Sequence, residues 1–107
     1  MKEIEKKPGC IQAALEIIGD KWTALIIRDL YTESKRFNEL QHSLVGISPR
    51  TLSQRLSKLE DCSVVEKKQV TEADTHSEYF LTRKGKDFAG ILEQMAEWGE
   101  KYYPDSS

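Results

Sequence analysis

Arg50, Thr51, Ser53, Gln54, Ser57 and Lys58 lie along one stretch of a 107-residue chain in which Leu52, Leu56 and Leu59 recur at helical spacing. All six side chains are polar and none is acidic. Such a face suits the edges of DNA bases, because the major groove is about 12 Å wide and admits one helix, and a guanidinium fork or a carboxamide there pairs with guanine or adenine. Arg50 and Gln54, near the start of the stretch, are the candidates for base edges. Ser48 and Thr51 suit phosphate oxygens, and Arg55 and Lys58, farther along, suit the charge of the sugar–phosphate backbone. Pro49 and Ser53 complete the contact set. The bland alternative is a solvated helix, since any surface helix is polar outside.

Other chemistry finds no support in the spacing. Cys10 and Cys62 are far apart and form no CxxC pair, and His42 and His76 are scattered, so a zinc-ligand pattern is missing. The chain carries no phosphate-binding loop, dinucleotide fingerprint or nucleophile elbow. The expectation is a protein that is not an enzyme and needs no metal or cofactor. No apolar run approaches the roughly 18 residues of a membrane span, and the first ten residues contain no apolar stretch of signal-peptide type. A cytoplasmic location with reduced thiols follows as an expectation.

The elements that position these residues are legible from periodicity. Ile11, Ala14, Leu15 and Ile18 mark a first short helix that Gly19 ends, and Asp20 can cap a second helix with Trp22, Leu25, Ile26 and Leu30 on its apolar stripe. Phe37, Leu40 and Leu44 share a face of a third, shorter helix, followed by a turn at residues 45–47. Ser48 is a good N-cap and Pro49 suits the first helical position, so a fourth helix starts there and runs through Asp61. Residues 64–71 form a β-branched run, residues 72–77 a polar tip, and Glu78 to Leu81 a second strand: a hairpin. Thr82 can cap a last helix with Phe88, Ile91, Leu92, Met95, Trp98 and Tyr102 on one stripe, stopped by Pro104. The predicted fold is mostly α with a small β-hairpin, a winged helix-turn-helix in a single domain over residues 1–107. Its parts are the N-terminal helices (10–31), the helix-turn-helix (36–61), the wing (64–81) and a C-terminal helix (83–103).

The net charge of −2, from 16 Lys and Arg against 18 Asp and Glu, speaks against a nucleic-acid partner only as a total. Residues 1–34 hold five basic and six acidic side chains, residues 35–86 ten and seven, and residues 87–107 one and five. The helix-turn-helix and wing therefore carry an excess of three positive charges, while the acids gather on the last helix. Lys67, Lys68 and His76 of the wing are candidates for contacts in an adjacent groove.

Several blocks carry a family resemblance: Gly19-Asp20-Lys21-Trp22, Arg36-Phe37-Asn38-Glu39-Leu40, the stretch from Gly46 to Glu60, Tyr79-Phe80-Leu81-Thr82 with Gly85, and Trp98-Gly99. From Cys10 to Tyr102 the chain resembles HxlR-type winged-helix transcription regulators. The resemblance implies a homodimer built by the first and last helices that binds a roughly palindromic operator in double-stranded DNA and represses or activates nearby genes, with repression the expected sign. It further implies that residues 48–61 are the recognition helix, that Arg36 begins a short strand pairing with the wing and contacts DNA, and that Cys10, at the start of the first helix, occupies a position where many members keep a redox or electrophile sensor. This chain departs from the family in having Ser63 where Gly is usual before the wing, and in lacking a wing Pro before Glu78-Tyr79.

The aromatic and Met stripe has two readings. Trp22, Ile91, Met95, Trp98 and Tyr102 could line a ligand box, but such a stripe at helical spacing usually makes core or dimer interface. A 20-residue amphipathic helix ending so small a domain has more apolar surface than one core readily covers, which points to Ile11, Leu15, Ile91, Leu92, Met95, Trp98 and Tyr102 as dimer interface. Two alternatives stand beside a DNA-binding regulator: a winged-helix module that binds an acidic protein surface, and a regulator whose small-molecule effector sits between the domain and its dimer helices.

Overall fold

A computed structural model describes residues 8–69 and 77–105. The wing tip with His76 lies outside the described residues. The described residues form five helices and three strands in the predicted order: α1 (Pro8–Ile18), α2 (Lys21–Thr32), β1 (Lys35–Arg36), α3 (Phe37–Ser43), α4 (Pro49–Asp61), β2 (Val65–Gln69), β3 (Ser77–Leu81) and α5 (Arg83–Tyr102).

The helix ends obey local rules. Gly19 takes φ +63 and its N–H donates to the Leu15 carbonyl at 2.9 Å, closing α1 in a conformation that favours glycine. The Asp20 carboxylate then accepts from the Thr23 N–H at 3.0 Å and caps α2. Ser48 does the same for α4, accepting from the Thr51 N–H at 3.1 Å with Pro49 at the first position. α1 starts at Pro8, upstream of the apolar periodicity, because proline needs no partner for a missing N–H there. Cys10 consequently sits within the first turn.

The strands pair antiparallel in the order β1-β3-β2, with Arg36 opposite Glu78 and Lys67 opposite Tyr79. β1 begins at Lys35, so Arg36 ends the strand instead of beginning it, and Glu39 accepts from its N–H at 2.8 Å as the chain turns into α3. Beneath this sheet Ile26 and Leu30 of α2, Leu40 of α3, and Leu52, Leu56 and Leu59 of α4 are buried together with Val64. The inner face of α4 is thus built into the core, and its polar face is left outside.

The turn between α4 and β2 keeps the left-handed conformation with serine: Ser63 has φ 62. That region costs a non-glycine residue about 1–2 kcal/mol, and the Thr82 hydroxyl, donating to the Ser63 carbonyl at 2.6 Å, helps to hold the turn. Ser63→Gly should therefore raise stability by about 0.5–1 kcal/mol, glycine's greater freedom in the unfolded chain offsetting part of the relief. Denaturant midpoints check this, and an unchanged or lower midpoint would contradict it.

α5 leaves the core halfway along. Gly85, Phe88 and Ala89 are buried, and Leu92, predicted among the interface residues, is half-buried and packs against the core. Ile91, Met95, Trp98 and Tyr102 are each more than half exposed.

Candidate nucleic-acid interface

α4 presents its polar face in one unobstructed row. Arg50, Ser53, Gln54 and Ser57 are all exposed, and spacing of three and four residues stacks them on one side of the helix. Among the described residues neither Arg50 nor Gln54 is engaged by a hydrogen bond or ion pair. At the helix start the Ser48 hydroxyl donates to the Thr51 hydroxyl at 2.9 Å, so the two phosphate candidates stand together.

Two predicted contact residues are placed elsewhere. Arg55 is half-buried and turned to the α1–α2 corner, where Nε and a terminal nitrogen lie 2.7 and 2.6 Å from the same Asp20 oxygen. Lys58 donates to the Glu16 carbonyl in the last turn of α1. Helical spacing alone puts both on the polar side; the nearby carboxylate and helix end engage them at the corner.

Burial alone would push the Asp20 carboxyl up, but hydrogen bonds from Arg55 and from the Thr23 N–H, with the guanidinium charge, outweigh it and hold the carboxyl below the usual range. The stabilisation is full above the ordinary carboxylate pKa of about 4 and is lost as pH falls through the lower native value. Asp20→Asn keeps the cap but gives up the ion pair. Its melting temperature should lie below the parent's at pH 7, and the gap should narrow only as pH falls below about 4; a gap that stays constant into strong acid would contradict this.

The wing stands beside α4. Lys67 and Lys68 are exposed on β2, their ammonium groups 5.9 and 5.7 Å from the ring centres of Tyr79 and Phe80. Between α4 and the sheet lies an open cleft of about 730 Å³, lined by Arg36, Asn38, Ser53 and Lys67 among others. Arg36, Ser53 and Lys67 are therefore brought together, one each from strand, recognition-type helix and wing.

A family model described as HxlR-like helix-turn-helix matches residues 17–107. The chain belongs to the HxlR-like helix-turn-helix family. YvaP, an HTH-type transcriptional regulator of Bacillus subtilis, is 37% identical over 95 residues, which cover 89% of this chain and 88% of YvaP. Among solved structures, a transcriptional regulator from Enterococcus faecalis assigned to the MarR family superposes with a TM-score of 0.81 at 32% identity, covering 90% of this chain and 87% of that one. Reduced YodB of B. subtilis superposes at 0.79 with 29% identity over 90% and 94% of the two chains, and YodB is also known bound to quinone. This HxlR-like chain is thus a winged-helix DNA-binding transcriptional regulator and not an enzyme.

Away from α4, the HxlR-like fold leaves a second surface bare. Ile11 and Leu15 of α1 are 45% and 60% exposed, comparable with the projecting residues of α5. Trp98 packs on Tyr102 and Tyr103 with ring centres 5.1 and 5.9 Å apart. Trp22 is not part of this cluster; it packs against the core, with the Lys21 ammonium 4.8 Å from its ring. An apolar groove of about 600 Å³ lies between α2 and α5, lined by Leu25, Tyr31, Leu92 and Met95 among others. Cys10 is exposed, Cys62 half-buried against the core, and His42 exposed. No described helix is long and apolar enough to cross a membrane.

Proposed function

We propose that the protein is a homodimeric repressor that reads a palindromic operator with α4, and that Cys10 makes it responsive to oxidants or electrophiles. The observation that carries the DNA-reading part is the free row of Arg50, Ser53 and Gln54 on α4. A guanidinium and a carboxamide, four residues apart near the start of a helix, match guanine and adenine edges. Ser48, Pro49 and Thr51 at the helix start, Arg36 and the wing residues Lys67 and Lys68 contact the flanking backbone. Arg55 and Lys58, engaged at the α1–α2 corner, are left out of this set.

Dimerisation is supported by the bare apolar surface of α1 and α5, since a two-fold interface would cover Ile11, Leu15, Ile91, Met95, Trp98 and Tyr102, while Leu92 closes the groove behind them. Cys10 lies one residue before Ile11 of that surface, so an oxidised or alkylated thiol there would disturb the pairing of copies and hence the spacing of their recognition helices. YodB, with its quinone-bound form, supports an electrophile as the effector class.

Titration of binding to duplex DNA from upstream of the protein's own coding sequence tests the proposal. Neutralised phosphates release counterions, so log affinity should fall with log salt with a slope of about −4 or steeper for two copies. A flat salt response would instead favour a module whose partner is a protein.

A further inference from the structure

Two basic side chains of α4 grip the corner between α1 and α2, and the two grips are chemically complementary. The last turn of α1 presents its carbonyls at the negative end of the helix dipole, and Lys58 donates to one of them, on Glu16. α2 begins with the capping carboxylate of Asp20, which takes the Arg55 guanidinium through two nitrogens. Gly19 lies between these contacts, and a Cβ there would stand 3.3 Å from the Lys58 nitrogen.

The leucines of α4 fix its depth in the core and turn its apolar side inward, but apolar burial is non-directional and sets the roll about the helix axis only coarsely. The Arg55–Asp20 contact has direction. Arg55 adjoins Gln54 in the same helix, so any roll that breaks the contact also swings Arg50 and Gln54 away from their bearing. We propose that Asp20 is a positioning residue for base reading: acting through Arg55, it sets the roll of α4, and its loss blurs sequence discrimination while leaving the fold in place. This rests on the proposed role of α4 as the recognition helix.

The test uses duplexes selected by the parent protein from a random pool, with affinity measured for a selected duplex and for a scrambled duplex of equal composition. Asp20→Asn, which retains the cap, should lower the ratio of the two affinities about tenfold, and Arg55→Gln should lower it equally although it changes net charge in the opposite direction. The double variant should lose no more than either single one, because both remove the same interaction. Arg55→Lys, which keeps the charge without the fork, should give an intermediate ratio and stands in if Asp20→Asn folds poorly. An unchanged ratio in a folded variant, or equal weakening on both duplexes, would overturn the proposal, as would single losses that multiply in the double variant. A parent that selects no sequence would mark the failure of α4 as a recognition helix, and this proposal would fall with it.

Discussion

Arg50→Ala should cost about 1–3 kcal/mol of discrimination between a selected duplex and random DNA while leaving affinity for random DNA nearly intact. The size follows from its place. Arg50 is exposed at the second position of α4, free of intramolecular partners, and a guanidinium there can give two hydrogen bonds to one guanine. Lys67→Ala, on the wing, should behave differently: it weakens all sequences alike and flattens the salt slope by about one for each copy that contacts phosphate. Competition gel shifts with the two duplexes separate these behaviours. Equal loss on both duplexes for Arg50→Ala would remove it from the base-reading set.

Gly85→Ala should destabilise the fold by about 3 kcal/mol, lowering the melting temperature on the order of 15 °C. A Cβ at Gly85 would stand 2.2 Å from the Val64 carbonyl oxygen and 3.2 Å from its carbon, with a Leu81 methyl 3.0 Å away. Backbone on that side cannot yield cheaply, because the Thr82 N–H donates to the same Val64 oxygen at 3.1 Å and ties α5 to the base of the wing. Alanine's better helix propensity returns only about 1 kcal/mol, so the clash decides the sign. The glycine of the Tyr79–Gly85 block thus has a packing reason: it lets the first turn of α5 lie against the Val64 backbone just before β2 and so holds the base of the wing. A variant that melts with or above the parent would contradict this.

What could be read from the residues alone was mostly local. Gly19, Asp20 and the Ser48-Pro49 pair each act within four residues of their position, and leucine spacing identifies the buried side of α4 without knowledge of its neighbours. The polar side was less legible. Periodicity puts Arg55 and Lys58 beside Gln54 but says nothing of Asp20, 35 residues earlier, or of a helix end at Glu16. Leu92 shows the same limit on the apolar side: its stripe is continuous with Met95, and only the point where α5 leaves the core separates a packed residue from the bare ones. Ser63, where the family usually has glycine, sits in a turn whose left-handed conformation the structure keeps despite its cost.

Protection of guanine N7 from methylation by dimethyl sulfate tests the central claim most directly, since N7 lies in the major groove that α4 is proposed to enter. Two copies of one chain related by a two-fold axis should protect N7 atoms in two clusters whose centres lie about 10 base pairs apart, or a multiple of that, on one face of a selected duplex. Arg50→Ala should remove a protected guanine from each cluster. Unprotected N7 atoms on a duplex that the protein demonstrably binds would contradict the assignment of α4 as the reading element, and a single cluster would contradict the paired copies.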